Sequence, residues 1–169
     1  MSDNGNTFGD CAPAWAHGTG ELELGRVQAV PTTLERAVDR IMVVETLYRY
    51  GLAYDERRRD VLEDVFTEDA VFAGSVSGHS DFREEGREKV VSWLCGIWET
   101  QTDQRRHLMT NPIVQKLTDD SCEVMAPFAL CASAAETSLV TTGIYRFDLV
   151  KRDGRWLIQY IYDGLDRPF

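Results

Sequence analysis

The sequence predicts an α+β fold in which three N-terminal helices cover a strongly bent antiparallel sheet, together forming a half-open cone. Helical hydrophobic periodicity is confined to residues 33–101. From residue 106 onward the period changes to the alternation of strands, and hairpin turn signals separate the strand-like runs. Because such a cone has an apolar interior and one mouth, it favours a pocket for a small molecule.

Length, composition and charge narrow the class of protein. With 169 residues, of which 43% are hydrophobic, the chain suits one domain with a sizeable core. Its formal net charge of −10 disfavours nucleic acid and anionic membrane surfaces as partners. The four cysteines show no metal-ligand spacing, so no metal site is expected. No apolar run approaches a membrane span of roughly 20 residues, and residues 1–6 lack the chemistry of a signal peptide, which predicts a cytoplasmic protein.

Residues 1–30 are rich in glycine and polar side chains and predict a flexible N-terminal arm before a single domain over 31–169. Because this arm buries too little to offset the entropy of ordering it, deletion of residues 1–28 is expected to leave the thermal midpoint nearly unchanged. The first helix is expected over about 33–54, at the helix-start chemistry of Pro31-Thr32-Thr33. Its approximate 3.6-residue stripe consists of Leu34, Val38, Ile41, Met42, Glu45, Leu47 and Leu52.

The rest of the chain predicts two more helices and five strands. The helices are expected over 59–66 and 83–101. A brief strand over 70–74 and a polar loop over 75–82 separate them. The other strands are expected over 106–117, 121–134, 138–151 and 155–163. Turn signals at 119–120, 134–137 and 151–154 join these strands as consecutive hairpins, which form an antiparallel meander.

The strands over 121–134 and 138–151 are apolar on both faces. One face can line the cone, whereas the other needs cover, because large exposed apolar patches normally mark an interface. We therefore expect the outer face of these two strands to mediate self-association.

Five segments carry a resemblance to a known family. The first contains Leu47-Tyr48-Arg49-Tyr50 followed by Asp55, and the others are 62–72, 86–90, 107–111 and 143–158. In this order, over roughly residues 33–163, they resemble the SnoaL-like branch of the nuclear transport factor 2-like (NTF2-like) superfamily. The chain is most similar to its cofactor-independent dehydratases, namely scytalone dehydratase, bile acid 7α-dehydratase and hexachlorocyclohexane dehydrochlorinase. The resemblance implies a cone-shaped barrel, no cofactor, and a homodimer or homotrimer.

The resemblance also implies a catalytic pair. These dehydratases share an Asp on the first helix and a His on a later strand, where Asp55 and His107 fall. Neutral imidazole suits a general base because its pKa is close to working pH, and a carboxylate on the other ring nitrogen fixes the tautomer. Tyr50 and Tyr54, which resemble tyrosines of the bile acid and scytalone enzymes, are candidates to polarise a carbonyl or donate to a leaving oxygen. Without the resemblance, Asp55 suits a solvated carboxylate and His107 an ordinary strand histidine.

Other pocket residues are expected from strand parity and aromatic character. Asn111 has the parity of His107 and is expected to reach the pocket, unless it caps the strand end before Pro112. Most aromatic side chains suit the core, and a few are expected to shape a pocket for a ring-bearing substrate. Those few are Phe72, Trp93, Phe128 and Tyr145. The C-terminal segment suits a tail over the rim, where Asp163 or Asp166 can touch a ligand.

These observations predict a cofactor-independent lyase or isomerase of the dehydratase type, which acts by Asp-His acid–base chemistry on a small hydrophobic metabolite. The metabolite is expected to be oxygenated and polyketide-, aromatic- or steroid-like. One alternative is a SnoaL-type cyclase, which closes a ring with the same Asp55 and His107. A second alternative, from a different class, is a non-catalytic small subunit like that of a ring-hydroxylating dioxygenase.

Overall fold

The computed structural model describes residues 19–27, 29, 31, 33–77 and 79–168, without the side chains of His79 and Ser80. The helices are α1 (Leu34–Asp55), α2 (Arg59–Val65) and α3 (Arg87–Thr100). The strands are β1 (Phe66–Val76), β2 (His79–Glu85), β3 (Gln104–Met109), β4 (Ile113–Leu117), β5 (Ser121–Ser133), β6 (Thr137–Arg152) and β7 (Arg155–Leu165). They form one sheet in the order β2-β1-β7-β6-β5-β3, and β4 also pairs with β5. The predicted α+β class, with three helices and one sheet, is confirmed. None of the helices described is long and apolar enough to cross a membrane.

The C-terminal strands form the predicted antiparallel meander. β5 pairs with β6, and β6 pairs with β7. β3 and β4 pair in succession with the other edge of β5, so the strand predicted over 106–117 is one path broken at 110–112. The break has a local cause, because Asn111 has a φ of 48° and the next residue, Pro112, has no backbone N–H to donate.

The N-terminal strands differ from the prediction. The strand expected over 70–74 extends over the whole of β1, and the loop expected over 75–82 contains part of β2, which pairs antiparallel with β1. β1 also pairs in parallel with β7, so the sheet is mixed rather than wholly antiparallel. β2 lies at the sheet edge, and its described side chains alternate only between exposed and half-buried. Its sequence therefore lacks the apolar alternation that identifies a strand.

The hydrophobic stripe predicted for α1 mostly faces away from the core, and of its residues only Leu47 is buried. On that stripe, Leu34, Ile41 and Leu52 are 82%, 65% and 60% exposed. The buried side instead includes polar groups with tertiary partners, such as Asp39, which accepts a hydrogen bond from Trp156 Nε1 at 2.9 Å. Because the buried side also has apolar residues at helical spacing, Val43, Leu47, Tyr50 and Tyr54, the helix has two apolar stripes, and the sequence pattern does not show which one faces the core.

Residues 19–25, part of the predicted arm, run along the outer face of the sheet. Leu22 is 3% exposed and packs in a cluster with Met125 and Tyr162. The side-chain amide of Gln115 binds the same segment. Its Nε2 donates to the Glu23 backbone oxygen, and its Oε1 accepts from the Gly25 backbone N–H. The outer face of the sheet is therefore partly covered by the chain itself. Residues 1–18 lie outside the described part, so the flexible arm stays a prediction there.

Candidate active site

The end of α1 and the middle of β3 hold an Asp–His pair. The Asp55 Oδ2 atom accepts the backbone N–H of His107 at 2.8 Å, and Oδ1 lies 2.7 Å from the ring Nδ1. Both side chains are nearly buried, at 5% and 6% exposure. Because an ionised carboxylate only accepts hydrogen bonds, this contact suits the tautomer of neutral imidazole that carries its proton on Nδ1 and leaves a lone pair on Nε2. This geometry would suit a carboxylate that orients a general base.

Local packing explains why α1 and β3 meet at this point. Gly51 lies one helical turn before Asp55. A Cβ atom on this glycine would lie 2.5 Å from Met109 Cε and 3.5 Å from His107 Cβ. The glycine therefore leaves room for the end of the Met109 side chain against the helix. Gln104 adds a second tie, since its side-chain Nε2 donates to the Asp55 backbone oxygen at 2.7 Å.

The His107 ring lines a cavity between the helices and the inner side of the sheet, with a volume of about 90 Å³. Ligand pockets usually measure roughly 300–1,000 Å³, so this cavity is a small one. Aromatic rings form much of the wall. Two of them, Phe128 and Tyr145, stack at a centroid distance of 4.3 Å. A substrate with more than one ring would have to displace side chains to enter.

The structure brings most of the site residues named from sequence around this cavity. Besides His107, the wall includes Tyr50, Tyr54, Phe72, Trp93, Phe128 and Tyr145. Asp55 lies behind His107 rather than on the wall. Asn111 is not on the wall either, because it lies exposed in the turn after β3, where its φ of 48° interrupts the strand alternation. The parity that pointed Asn111 into the pocket therefore does not hold.

The cavity phenols are neutral hydrogen-bond donors or acceptors. The Tyr50 and Tyr145 rings meet edge-on at a centroid distance of 6.0 Å, and burial raises the pKa of both well above its ordinary value. Tyr54 accepts a hydrogen bond from Gln101 Nε2 at 3.0 Å, and burial raises its pKa to about 12. The Tyr54 ring also meets the His107 ring edge-on, at a centroid distance of 5.0 Å. All three phenols therefore stay protonated at neutral pH and do not serve as bases.

Asp163, expected in a tail over the rim, lies instead on β7 and lines the cavity. It is 8% exposed, and its Oδ1 atom is buried without a hydrogen-bond partner in the described part of the chain. Burial raises its pKa to about 8. Trp156 and Ile158 are buried ahead of it, so simple alternation would turn Asp163 outwards. An extra residue in β7 relative to β6, Gln159, reverses the parity, and no local signal in the sequence marks it.

The described part of the wall thus combines one imidazole, neutral polar groups and apolar rings. This combination suits proton abstraction from a carbon atom of an apolar ligand that also carries an oxygen. No group of three or more His, Cys, Asp or Glu side chains among the described residues is placed to bind a metal ion.

Comparison by sequence identifies one family. The model of the SnoaL-like domain matches residues 35–162, a span that includes both Asp55 and His107. No curated protein matches the sequence significantly.

Solved structures share the fold at low sequence identity. A variant of Rv3472, a protein of unknown function from Mycobacterium tuberculosis, has a TM-score of 0.70 at 21% identity, over 83% of this chain and 79% of that one. A scytalone dehydratase candidate from Novosphingobium aromaticivorans has a TM-score of 0.63 at 18% identity, over 79% of this chain and 88% of its own. From the same organism, the β subunit of a candidate aromatic-ring-hydroxylating dioxygenase has a TM-score of 0.68 at 13% identity, over 79% and 92%. These likenesses establish the fold alone.

Proposed function

Because the chain belongs to the SnoaL-like domain family, we propose that it is a cofactor-independent lyase or isomerase of the dehydratase type. Its substrate is a small, hydrophobic, oxygenated metabolite. One observation carries the proposal: His107, oriented by Asp55, keeps a free ring nitrogen on the wall of an apolar cavity. A residue that served only the fold would have no need of such a cavity beside it.

The chemistry follows from the protonation of the pair. Nε2 of His107 removes a proton from the carbon next to a carbonyl group, and the carboxylate of Asp55 stabilises the imidazolium that forms. The electron pair released from the C–H bond forms the new double bond as the hydroxyl group on the next carbon leaves. That hydroxyl needs a proton from the wall in order to leave as water. Tyr50 and Tyr54 are neutral groups there that can polarise the carbonyl.

The size of the cavity bears on the cyclase alternative. A SnoaL-type cyclase would use the same Asp55 and His107, but it must hold a chain long enough to close a ring. A volume of about 90 Å³ suits a one-ring substrate better than a folded polyketide chain. We therefore favour elimination or isomerisation on a single ring.

Proton abstraction can be tested with a model substrate. The protein is incubated with 3-hydroxycyclohexan-1-one, and formation of the enone is followed by its ultraviolet absorbance. In deuterium oxide, NMR measures deuterium uptake at the carbon next to the carbonyl. With the wild type, we expect enone formation and deuterium uptake to be faster than in buffer alone. With His107→Ala, we expect neither to exceed the rate in buffer. Equal rates in the two proteins would contradict the proposal.

A further inference from the structure

We infer that Asp163 is a second catalytic carboxyl group: as the neutral acid it donates a hydrogen bond, and during elimination a proton, to the oxygen of a ligand held between it and His107. This inference rests on the proposed role of His107 as the base. It adds the acid that the elimination requires.

The position of Asp163 in the sheet directs its side chain into the cavity. Asp163 on β7 is directly opposite Tyr145 on β6. Opposed residues of an antiparallel pair project to the same face, and both of these line the cavity. On the other side of β7, the register partner in β1 is Gly74, which has no side chain to cover the carboxyl group.

The carboxyl group of Asp163 has an unused hydrogen-bonding capacity. Its Oδ1 atom has no partner in the described part of the chain. Among the described residues, none that lines the cavity is a lysine or arginine. A buried carboxyl group without a cation or a donor is held as the neutral acid, whose O–H must find an acceptor. An oxygen atom of a ligand in the cavity supplies that acceptor.

The titratable groups around Asp163 leave it as the most suitable acid. Tyr50 and Tyr54 face it from α1, Tyr145 from β6, and His107 from β3, whereas β1, β2 and α3 contribute only uncharged side chains to the cavity. Burial raises the pKa of Tyr50 and Tyr145 well above its ordinary value. Burial raises the pKa of Tyr54 to about 12 and that of Asp163 to about 8. An acid whose pKa lies near the working pH transfers its proton more readily than a phenol.

The elimination balances with these two residues alone. Nε2 of His107 takes the proton from the carbon next to the carbonyl, and the C–H electron pair becomes the C=C bond. The C–O bond to the hydroxyl breaks, and this oxygen takes the Asp163 proton and leaves as water. The protein is left with an imidazolium and a carboxylate. The proton then passes from His107 to Asp163 through water before the next turnover, and no oxidant or cofactor takes part.

Two ring compounds of equal size test whether Asp163 contacts a ligand oxygen. Cyclohex-2-en-1-one carries a carbonyl, and 1-methylcyclohexene does not. Binding is followed by tryptophan fluorescence, since Trp93 lines the cavity, and infrared spectroscopy records the carbonyl stretch of the bound enone. Asp163→Leu removes the donor at similar volume. Asp163→Asn keeps an amide donor that cannot transfer a proton.

We expect the wild type to bind the enone about tenfold more tightly than Asp163→Leu, because a buried hydrogen bond is lost. The carbonyl stretch of the bound enone should lie at lower frequency in the wild type than in Asp163→Leu. The affinity for 1-methylcyclohexene should be no higher in the wild type than in Asp163→Leu. Asp163→Asn should retain most of the enone affinity but lose about 100-fold or more in enone formation. Equal enone affinity and frequency in the wild type and Asp163→Leu would overturn the inference, as would an absence of saturable enone binding to the wild type. Should Asp163→Leu not fold, full turnover by Asp163→Asn would overturn the proton-transfer role.

The same measurements separate this inference from the proposed function. If turnover depends on His107 but survives in Asp163→Asn, the proposed function stands and the proton-donor role of Asp163 fails. If the wild type shows no turnover but binds the enone with an Asp163-dependent shift of its carbonyl stretch, the contact stands and the dehydratase activity fails. Because ionised Asp163 repels a carbonyl oxygen, enone affinity should also fall above about pH 8 in the wild type and stay level in Asp163→Asn.

Discussion

At the scale of single residues, two hydrogen bonds make Asp55 and His107 interdependent. His107→Ala removes the proposed base, and Asp55→Asn leaves the imidazole without a charged partner. Each is therefore expected to lower kcat by about 10²–10⁴-fold. The double variant should be little worse than His107→Ala, because groups that act as a unit are not additive. Enone formation measures the effect, with the exposed Asp119→Asn as control, and losses that multiply in the double variant would indicate independent roles.

The buried carboxyl of Asp163 predicts a pH-dependent stability. Its pKa is about 8 in the folded protein, against an ordinary value of 3.8. Between these values the unfolded chain has lost the proton that the folded protein keeps, so this group lowers the free energy of unfolding by about 1.4 kcal/mol for each pH unit. Its favourable contribution is complete below pH 3.8 and is lost as the pH rises through about 8.

Asp163→Asn removes this titration, so its stability should depend less steeply on pH than that of the wild type. The other titratable groups on the cavity wall, Tyr50, Tyr54, Tyr145 and His107, are present in both proteins. The difference between the two proteins therefore isolates Asp163. Urea unfolding between pH 5 and 8 measures it, and parallel stability curves would show that Asp163 is ionised throughout.

At the scale of elements, the two sides of α1 differ: polar groups tie the inner side to the sheet, and the outer side exposes hydrophobic residues. Its inner side is tied to the β6–β7 hairpin by Asp39, which lies 2.8 Å from Lys151 Nζ and 2.9 Å from Trp156 Nε1. Burial alone would raise the pKa of Asp39, but the hydrogen bonds from Lys151 and Trp156 lower it. The carboxylate therefore stays ionised at neutral pH. Polar contacts as well as apolar packing therefore position the inner side of the helix. Its outer side still carries exposed hydrophobic residues.

The segment that crosses the outer face of the sheet should contribute to stability. Leu22 is buried there, and a buried leucine replaced by alanine typically costs about 2–5 kcal/mol. Leu22→Ala should therefore lower the thermal midpoint, whereas Leu24→Ala should not, since Leu24 is 66% exposed. Deletion of residues 1–28 should then lower the thermal midpoint, whereas composition alone predicts a nearly unchanged midpoint. Equal midpoints for Leu22→Ala and the wild type would restore that expectation.

At the scale of the whole molecule, the outer side of α1 is the exposed apolar surface best suited to self-association. A stripe spaced 4-3-4-3-4 along the helix consists of the exposed Leu34, Val38, Ile41, Tyr48 and Leu52 and the half-buried Glu45. This spacing is that of a helix–helix seam. An antiparallel second copy would set Leu34 opposite the partner's Leu52, whereas a parallel copy would oppose two glutamates. We therefore expect an antiparallel homodimer through α1 rather than through the outer face of the sheet.

Light scattering at micromolar concentration can distinguish the two surfaces. Ile41→Asp places a charge in the middle of the α1 stripe and should give a monomer. Leu139→Asp is the matched change on β6, at a side chain that is also exposed, and should leave the dimer intact. A monomer with Leu139→Asp alone would point to the outer face of the sheet. A strictly monomeric wild type would contradict both surfaces.

The sequence by itself determined the elements whose signals are local. The helix predicted over 33–54 differs from α1 by one residue at each end, and the meander from residue 121 onward is observed. Helical period, capping and turn chemistry depend on residues a few positions apart, so they can be recognised in one sequence. Asp55 and His107 were named only because the resemblance supplied their pairing.

Only the tertiary structure decided which surfaces meet. It set the parallel pairing of β1 with β7 and the burial of Leu22 on the outer face. It also joined Asp55 to His107 across 52 positions of the chain. The extra residue Gln159 turned Asp163 into the cavity. Each of these features depends on contacts between residues far apart in sequence, and one bulge reverses every side chain beyond it, so no local pattern could have specified them.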